Sequence, residues 1–203
     1  MEDMPVPRPF SGGDSYYSRM YLDLAGQHIT EAASVEGHLR SGHTAAAVVF
    51  SALAVEAGVN YFIAEVLVLS DDSIAARKLL EGIPSLVRFA SRPTNDTGQV
   101  LKVLYDQGTT AEAKVQASMA VCPHIDPGYE AKLASMRRDR NALVHPKWTA
   151  GGKPPLHALA IDDTWLCRAN EHYLTARAFC RVLHLPQWYE PDLRGGAGTG
   201  SAP

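Results

Sequence analysis

The sequence predicts an all-α protein with a single helical domain. Apolar side chains recur at helical spacing along most of the 203 residues, valine falls mainly inside those stretches, and few segments alternate polar and apolar residues with a period of two. Apolar residues make up 46% and charged residues 20% of the chain, which is typical of a soluble globular protein. The simplest architecture is an up-and-down bundle of four long helices with short accessory helices over residues 14–185. It lies between a flexible segment at 1–13 and a disordered tail at 186–203.

Apolar spacing predicts the first two long helices. One begins at Asp14 and ends near Ser41-Gly42, and the next runs from about His43 to Leu69. The second of these is apolar around most of its surface, which favours a central position in the bundle.

Capping residues and prolines divide the rest of the chain. The segment Ser70–Ser73 offers N-caps for a third helix through about Ala90, which Pro84 kinks or divides. Asp126 caps a helix over 127–145, with proline at its first position. Shorter helices are predicted at 99–106 and 110–121, loops at 91–98 and 147–161, and a last long helix at 162–185.

Charge and cysteine content limit the classes of function. The net charge of −3 excludes a protein that is basic over its whole surface, so a nucleic-acid partner needs a local basic patch. Three cysteines without the spacing of paired metal ligands predict a reducing compartment, with no structural metal and no cofactor. The start of the chain lacks the apolar core of a signal peptide, and the long apolar helix carries Glu56, Asn60 and Glu65. The sequence therefore predicts a cytoplasmic protein without a membrane partner.

A compact polar motif lies at the end of the 127–145 helix. It reads Arg140-Asn141-Ala142-Leu143-Val144-His145 and is followed directly by a proline. On a helix, Asn141 and His145 share one face, because they are four residues apart. Arg140 is about 100° away around the axis, and its long side chain can swing back over that face.

These residue types suit the cleavage of RNA without a metal ion. A histidine transfers protons near neutral pH, and its protonated form is favoured near a helix C-terminus. Arginine binds phosphate through a permanent, bidentate positive charge, and asparagine can orient either partner. Further RNA contacts are predicted at Arg137, Arg138 and Lys147. Helix capping selects the same residue types, so spacing alone leaves open a helix end that has no function.

The motif resembles the signature of the HEPN superfamily: an arginine, a polar residue, and a histidine after four to six intervening residues, near the end of a late helix in a helical bundle. A second stretch, Ser51-Ala52-Leu53-Ala54-Val55-Glu56-Ala57-Gly58-Val59-Asn60, resembles the early HEPN helix, in which small and apolar residues surround a Glu and an Asn. The order of helices matches over roughly 14–185, whereas the loop-rich middle at 91–128 is not part of the pattern.

This resemblance implies a metal-independent endoribonuclease of the kind found in toxin–antitoxin and defence systems, in which two bundles pair so that both motifs face a shared cleft. It implies that His145 is the catalytic histidine, Arg140 the phosphate-binding or structural arginine, and Asn141 the orienting residue. The implied partners are RNA, a second copy of the chain, and an antitoxin or nucleotidyltransferase. In HEPN toxins silenced by modification of a tyrosine, that tyrosine follows the histidine by two positions. Lys147 stands there in this chain, which argues against that control.

Two alternatives stay open at this stage. Many HEPN domains have lost catalysis and bind a nucleotide, RNA or a protein partner, and the motif could also be only a capped helix end in an unrelated bundle. Glu56 and Asn60, four residues apart on an apolar helix, need polar partners if they are buried. They either support Arg140 or His145, or form a structural polar pair between two helices.

Overall fold

Helices make up 87% of the described structure. The computed structural model describes residues 16–68, 73–122, 125–144, 161 and 163–183, and these ranges contain no strand. Their helices are α1 Tyr16–Ser34, α2 Gly37–Val68, α3 Ser73–Gly82, α4 Arg88–Ser91, α5 Thr97–Asp106, α6 Ala111–Val121, α7 Gly128–Val144 and α8 Asp163–Leu183. The predicted all-α class is thereby confirmed. The predicted N-terminal segment, the 147–161 loop apart from residue 161, and the tail lie outside the described residues.

The first two helices form an antiparallel hairpin. Ser18, early in α1, donates its hydroxyl to the carbonyl oxygen of Ala54, in the second half of α2, at 2.9 Å. Near the other end of the hairpin, His28 of α1 faces His43 of α2. The buried thiol of Cys180, late in α8, also approaches the Ala54 carbonyl, so α8 packs along the same hairpin.

The reversal between α1 and α2 comes earlier than the sequence pattern predicts. The break predicted at 41–42 is wrong, because both residues lie inside α2. Gly37 instead takes the left-handed conformation, with φ of +61°, which costs glycine little. Arg40 donates from Nε to the carbonyl oxygens of Ala32 and Val35, at 3.2 and 3.1 Å, and so satisfies acceptors that the end of α1 leaves open.

The last two long helices complete the bundle and are also antiparallel. The ring centres of Tyr129, early in α7, and Phe179, late in α8, are 5.5 Å apart. Ten residues further along α7, Asp139 binds His172, which lies earlier in α8. Leu143, near the described end of α7, packs on the first half of α2. The direction of the long helices therefore alternates along the chain, as expected of an up-and-down bundle.

The central element is α2, which packs against α1, α3, α5, α6, α7 and α8. Among the described residues it is the one helix with the length and apolarity of a membrane span. However, 61% of its most apolar window is buried within the bundle, and the core helix of a soluble protein passes the same test. The structure therefore places α2 at the centre of the bundle, as the sequence predicts.

Four short helices lie between α2 and α7. Pro84 divides the predicted third helix, as expected: a 3₁₀ turn at Pro84–Leu86 separates α3 from α4. The side chain of Asp96 accepts a hydrogen bond from Gly98 N at the start of α5, and that of Thr110 caps α6. Helix α6 faces α2 and α7 across a cleft.

Candidate functional site

The described part of the motif lies in the last turns of α7. Arg140 is half-buried and Asn141 is exposed. Arg140 donates from Nη1 to Oδ1 of the adjacent Asn141 at 2.9 Å, in an exposed contact. His145 and Lys147 lie outside the described residues, which end at Val144 in this region.

Arg140 and Asn141 line a cleft between α2, α6 and α7. Its volume is about 580 Å³. Its apolar wall comes from Val55 and Val59 of α2, Val115 of α6, and Leu133 and Met136 of α7. A cleft with apolar walls and a few polar groups at its edge is the usual form of a binding site for a small ligand or for one nucleotide.

Of the two polar residues predicted to support the motif, one reaches this cleft. Glu56 lines it together with Arg140 and is half-buried. Asn60 is fully buried one turn further along α2 and does not line the cleft. Neither side-chain atom of Asn60 has a hydrogen-bond partner among the residues that the structure describes.

Lys114 of α6 is a cleft residue that the sequence pattern does not reveal. Only 2% of it is exposed, although it carries an ammonium group, and its Nζ lies 5.6 Å from the ring centre of Tyr105. Burial lowers the pKa of Lys114, and the negative charge of Glu56 partly opposes that effect. In sequence the residue stands in a short helix with a negligible apolar face, which is typical of an exposed lysine.

Of the basic residues predicted around the motif, Arg137 is paired with a carboxylate. Arg137 donates from Nη2 to Glu112 Oε2 at 2.7 Å, while Arg138 is exposed. Across the cleft the charges balance: the carboxylates are Glu56, Glu112 and Glu130, and the cations are Lys114, Arg137 and Arg140. Unlike Arg137, Arg140 has no carboxylate partner within the described ranges. It is therefore the arginine of this cleft best placed to bind an anion.

Asp139, directly before Arg140, belongs to a polar network with α8. Arg168 Nη2 lies 2.5 and 2.6 Å from the two carboxylate oxygens of Asp139, and His172 Nε2 lies 2.8 Å from Oδ2. The guanidinium of Arg168 also stacks over the ring of Trp165, 4.7 Å from its centre. Successive helical residues project about 100° apart, so fixing Asp139 toward α8 directs Arg140 toward the cleft.

A different group of side chains has the composition of a metal site. His28, Glu31 and His43 place three possible ligand atoms within 4.8 Å of one another on the α1–α2 hairpin. None of the three lines the cleft. The cleft itself brings together carboxylates and cations rather than a set of metal ligands.

No protein-family model matches the chain, and no curated protein and no solved structure matches it either. The resemblance to HEPN proteins therefore rests on the two sequence stretches at 51–60 and 140–145.

Proposed function

We propose that the protein is a HEPN-like, metal-independent endoribonuclease that acts as a homodimer, with Arg140, Asn141 and His145 of each copy facing one RNA-binding cleft. The observation that carries this proposal is the bonding of the Arg140 guanidinium. Arg140 lines the cleft and its guanidinium bonds the neutral Asn141 side chain, whereas Arg137, which also lines the cleft, pairs with a carboxylate. An arginine held by a neutral group keeps its charge available for a phosphate.

The proposed reaction uses the RNA itself as nucleophile. The 2′-oxygen attacks the adjacent phosphorus, its proton passes to a general base, and the 5′-oxygen leaves with a proton from a general acid. His145 supplies proton transfer, since an imidazole changes charge near neutral pH. Arg140 stabilises the negative charge that grows on the phosphate oxygens, and Asn141 keeps the guanidinium in place. The products are a 2′,3′-cyclic phosphate and a free 5′-hydroxyl.

The network around Asp139 supports this arrangement. It fixes the rotation of α7 through two contacts on α8, so that the following residue, Arg140, is held at the cleft. Positioning of this kind matters because displacement of a catalytic group by about 1 Å can cost on the order of 100-fold in rate.

A second candidate function is non-catalytic binding by the same cleft. Its volume of about 580 Å³ is that of small-molecule sites, and three carboxylates balance three cations in its lining. A nucleotide, or a peptide that carries both positive and negative side chains, would fit such a lining better than a long polyanion would. This alternative keeps the role of Arg140 in anion binding and removes the requirement for His145.

An RNA cleavage assay in the presence of EDTA separates the two functions. Wild-type protein is incubated with labelled single-stranded RNA beside His145→Ala and Arg140→Ala, with Arg77→Ala, an exposed arginine of α3, as the matched control. We expect chelator-insensitive cleavage that falls at least about 100-fold in both motif variants and is unchanged in the control.

Two results would count against the enzyme. Cleavage that is equal in wild type and His145→Ala points to a contaminating nuclease. The absence of cleavage, together with Arg140-dependent binding of a nucleotide measured by calorimetry, establishes the binding module instead. Circular dichroism spectra confirm in each case that the variant has kept its helices.

A further inference from the structure

Three side chains of metal-binding types converge where α1 and α2 face each other. His28 and Glu31 are three residues apart on α1 and so share one face, and His43 projects toward them from α2. His28 Nδ1 and His43 Nδ1 are 2.9 Å apart. Glu31 Oε2 lies 3.0 Å from His43 Nδ1 and 3.5 Å from His28 Nδ1.

This triangle has the size of one face of a metal coordination sphere. The circle through atoms separated by 2.9, 3.0 and 3.5 Å has a radius of about 1.8 Å. A point about 1 Å above the plane of the triangle is therefore about 2.1 Å from all three atoms, which is the bond length of Zn²⁺ to histidine nitrogen and carboxylate oxygen. At that point the ligand–metal–ligand angles are about 87°, 91° and 113°, so the two shorter separations have to widen by about 0.5 Å to reach tetrahedral geometry.

Hydrogen bonds alone satisfy these atoms poorly. Seen from His43 Nδ1, the directions to His28 Nδ1 and Glu31 Oε2 diverge by about 70°, whereas a good hydrogen bond keeps the N–H within about 30° of its acceptor. One N–H on His43 can point well at only one of them. A single cation attracts all three at once.

Neighbouring side chains hold the ligands in place. Gln27 donates from Nε2 to Glu31 Oε1 at 2.9 Å, which leaves Oε2 facing the histidines. The ring of His28 is stacked parallel to Phe50, with 5.5 Å between ring centres and 1° between planes. Second partners of this kind orient metal ligands in known sites and strengthen binding.

We propose that His28, Glu31 and His43 bind one divalent transition metal ion of the zinc class, which clamps α1 to α2. Two imidazoles and one carboxylate favour Zn²⁺ and its neighbours over Mg²⁺ or Ca²⁺, which prefer sites made of oxygen ligands. The side chains are 23%, 38% and 28% exposed for His28, Glu31 and His43, so water can complete the coordination. The sequence pattern predicted no metal, and this proposal departs from that prediction.

The position of the triad indicates a structural role. Ile29, next to His28, packs against the buried cluster of Ala47, Val48 and Ala169, and Leu143, near the described end of α7, packs against the same cluster. An ion at the triad therefore fixes the hairpin against which that end of α7 rests. The cleft shares no residue with the triad, so chelation is expected to lower stability without removing the groups proposed for RNA cleavage.

Metal titration of the full chain tests this site. Protein stripped with a chelator and dialysed is titrated with ZnCl₂ by calorimetry and with CoCl₂ by visible absorption. We expect one strong site per chain and a rise in melting temperature on Zn²⁺ addition. His43→Gln and Glu31→Gln should each weaken Zn²⁺ binding by more than about 100-fold, and Gln27→Ala by about 10-fold.

Two exposed residues of the same hairpin provide matched controls. His38→Gln and Glu36→Gln change the same residue types without touching the triad and should bind Zn²⁺ like wild type. The proposal is overturned if stripped wild type binds no Zn²⁺, or if the triad variants bind as tightly as wild type, which would place the ion at other histidines or cysteines. The first of these outcomes is measured on the wild-type protein. The proposal can therefore be overturned even if a variant fails to fold.

Discussion

Asp139 is the residue on which the attachment of α7 to α8 depends most. It is 7% exposed and is the shared acceptor of Arg168 and His172. Replacing it with alanine leaves the buried His172 without its acceptor, while Arg168 turns to solvent because its side chain is 43% exposed. We expect Asp139→Ala to lower the free energy of unfolding by about 2 kcal/mol, below the full cost of breaking a buried pair.

Urea denaturation measures this loss, with Asp23→Ala on the exposed face of α1 as the control. Equal midpoints for the two variants would show that the network adds nothing to stability.

The sequence placed Arg140 and Asn141 near the end of a helix correctly, but it could not identify this network. An aspartate within a run of basic residues is typical of a solvated surface, and its partners are about thirty residues away on another helix.

The three cysteines differ in reactivity for a physical reason. Burial raises the pKa of Cys122 and of Cys180 to about 11, whereas Cys167 is exposed on α8. At pH 8 a thiol with such a pKa is ionised in about one molecule in a thousand, and thiolate is the reactive form. We expect Ellman's reagent to modify one thiol per native chain rapidly at pH 8 and three in denaturant.

Substitution of Cys167 by serine identifies the reactive thiol. This variant should show no fast phase at pH 8, and a slow reaction should accelerate as the pH rises toward 11. A fast phase that survives the substitution would show that Cys122 or Cys180 is reached by solvent in the native state.

At the level of the helices, the α1–α2 hairpin shows why sequence misplaces a boundary. Helical spacing runs on through the reversal, and Ser41-Gly42 has the composition of a break, yet the chain turns at Val35 and Glu36. The left-handed Gly37 and the bonds from Arg40 back to the end of α1 accompany this turn, and apolar spacing reports neither of them. The error also hid the metal-ligand triad, because histidines 28 and 43 are opposite each other only when the reversal lies midway between them.

Two glycines of α2 allow a direct test of this boundary. Gly37 has a positive φ that alanine adopts with strain, and Gly42 lies inside the helix with no atom within 4 Å of an added Cβ. Gly37→Ala should lower the free energy of unfolding by about 1 kcal/mol, and Gly42→Ala should raise it by about 0.5–1 kcal/mol. A turn at 41–42 requires the opposite signs. If thermal unfolding shows that Gly37→Ala stabilises the protein and Gly42→Ala destabilises it, the reversal at 35–36 is contradicted.

For the whole molecule, the sequence predicted the helical class and the four long helices but not the cleft. The stretch 91–128 stands outside the HEPN-like pattern, yet α6 within it supplies Lys114 and Val115 to the wall facing Arg140. That wall forms because helices far apart in the chain pack together. The pattern of a single sequence shows only local periodicity, so it does not reveal such a wall. Helix α6 therefore contributes to which ligands the cleft can bind.

A composite site makes a prediction that only two copies of the chain can fulfil. If two motifs face one RNA cleft, a heterodimer of Arg140→Ala and His145→Ala contains one intact arginine and one intact histidine. Mixing the two inactive variants under conditions that exchange subunits should then restore part of the RNA cleavage, up to the fraction of mixed dimers. Light scattering establishes the dimer, and mixing either variant with itself is the control. Cleavage that stays absent although mixed dimers form would mean that one arginine and one histidine from different copies do not make an active site, and a monomer that cleaves RNA would exclude the shared cleft altogether.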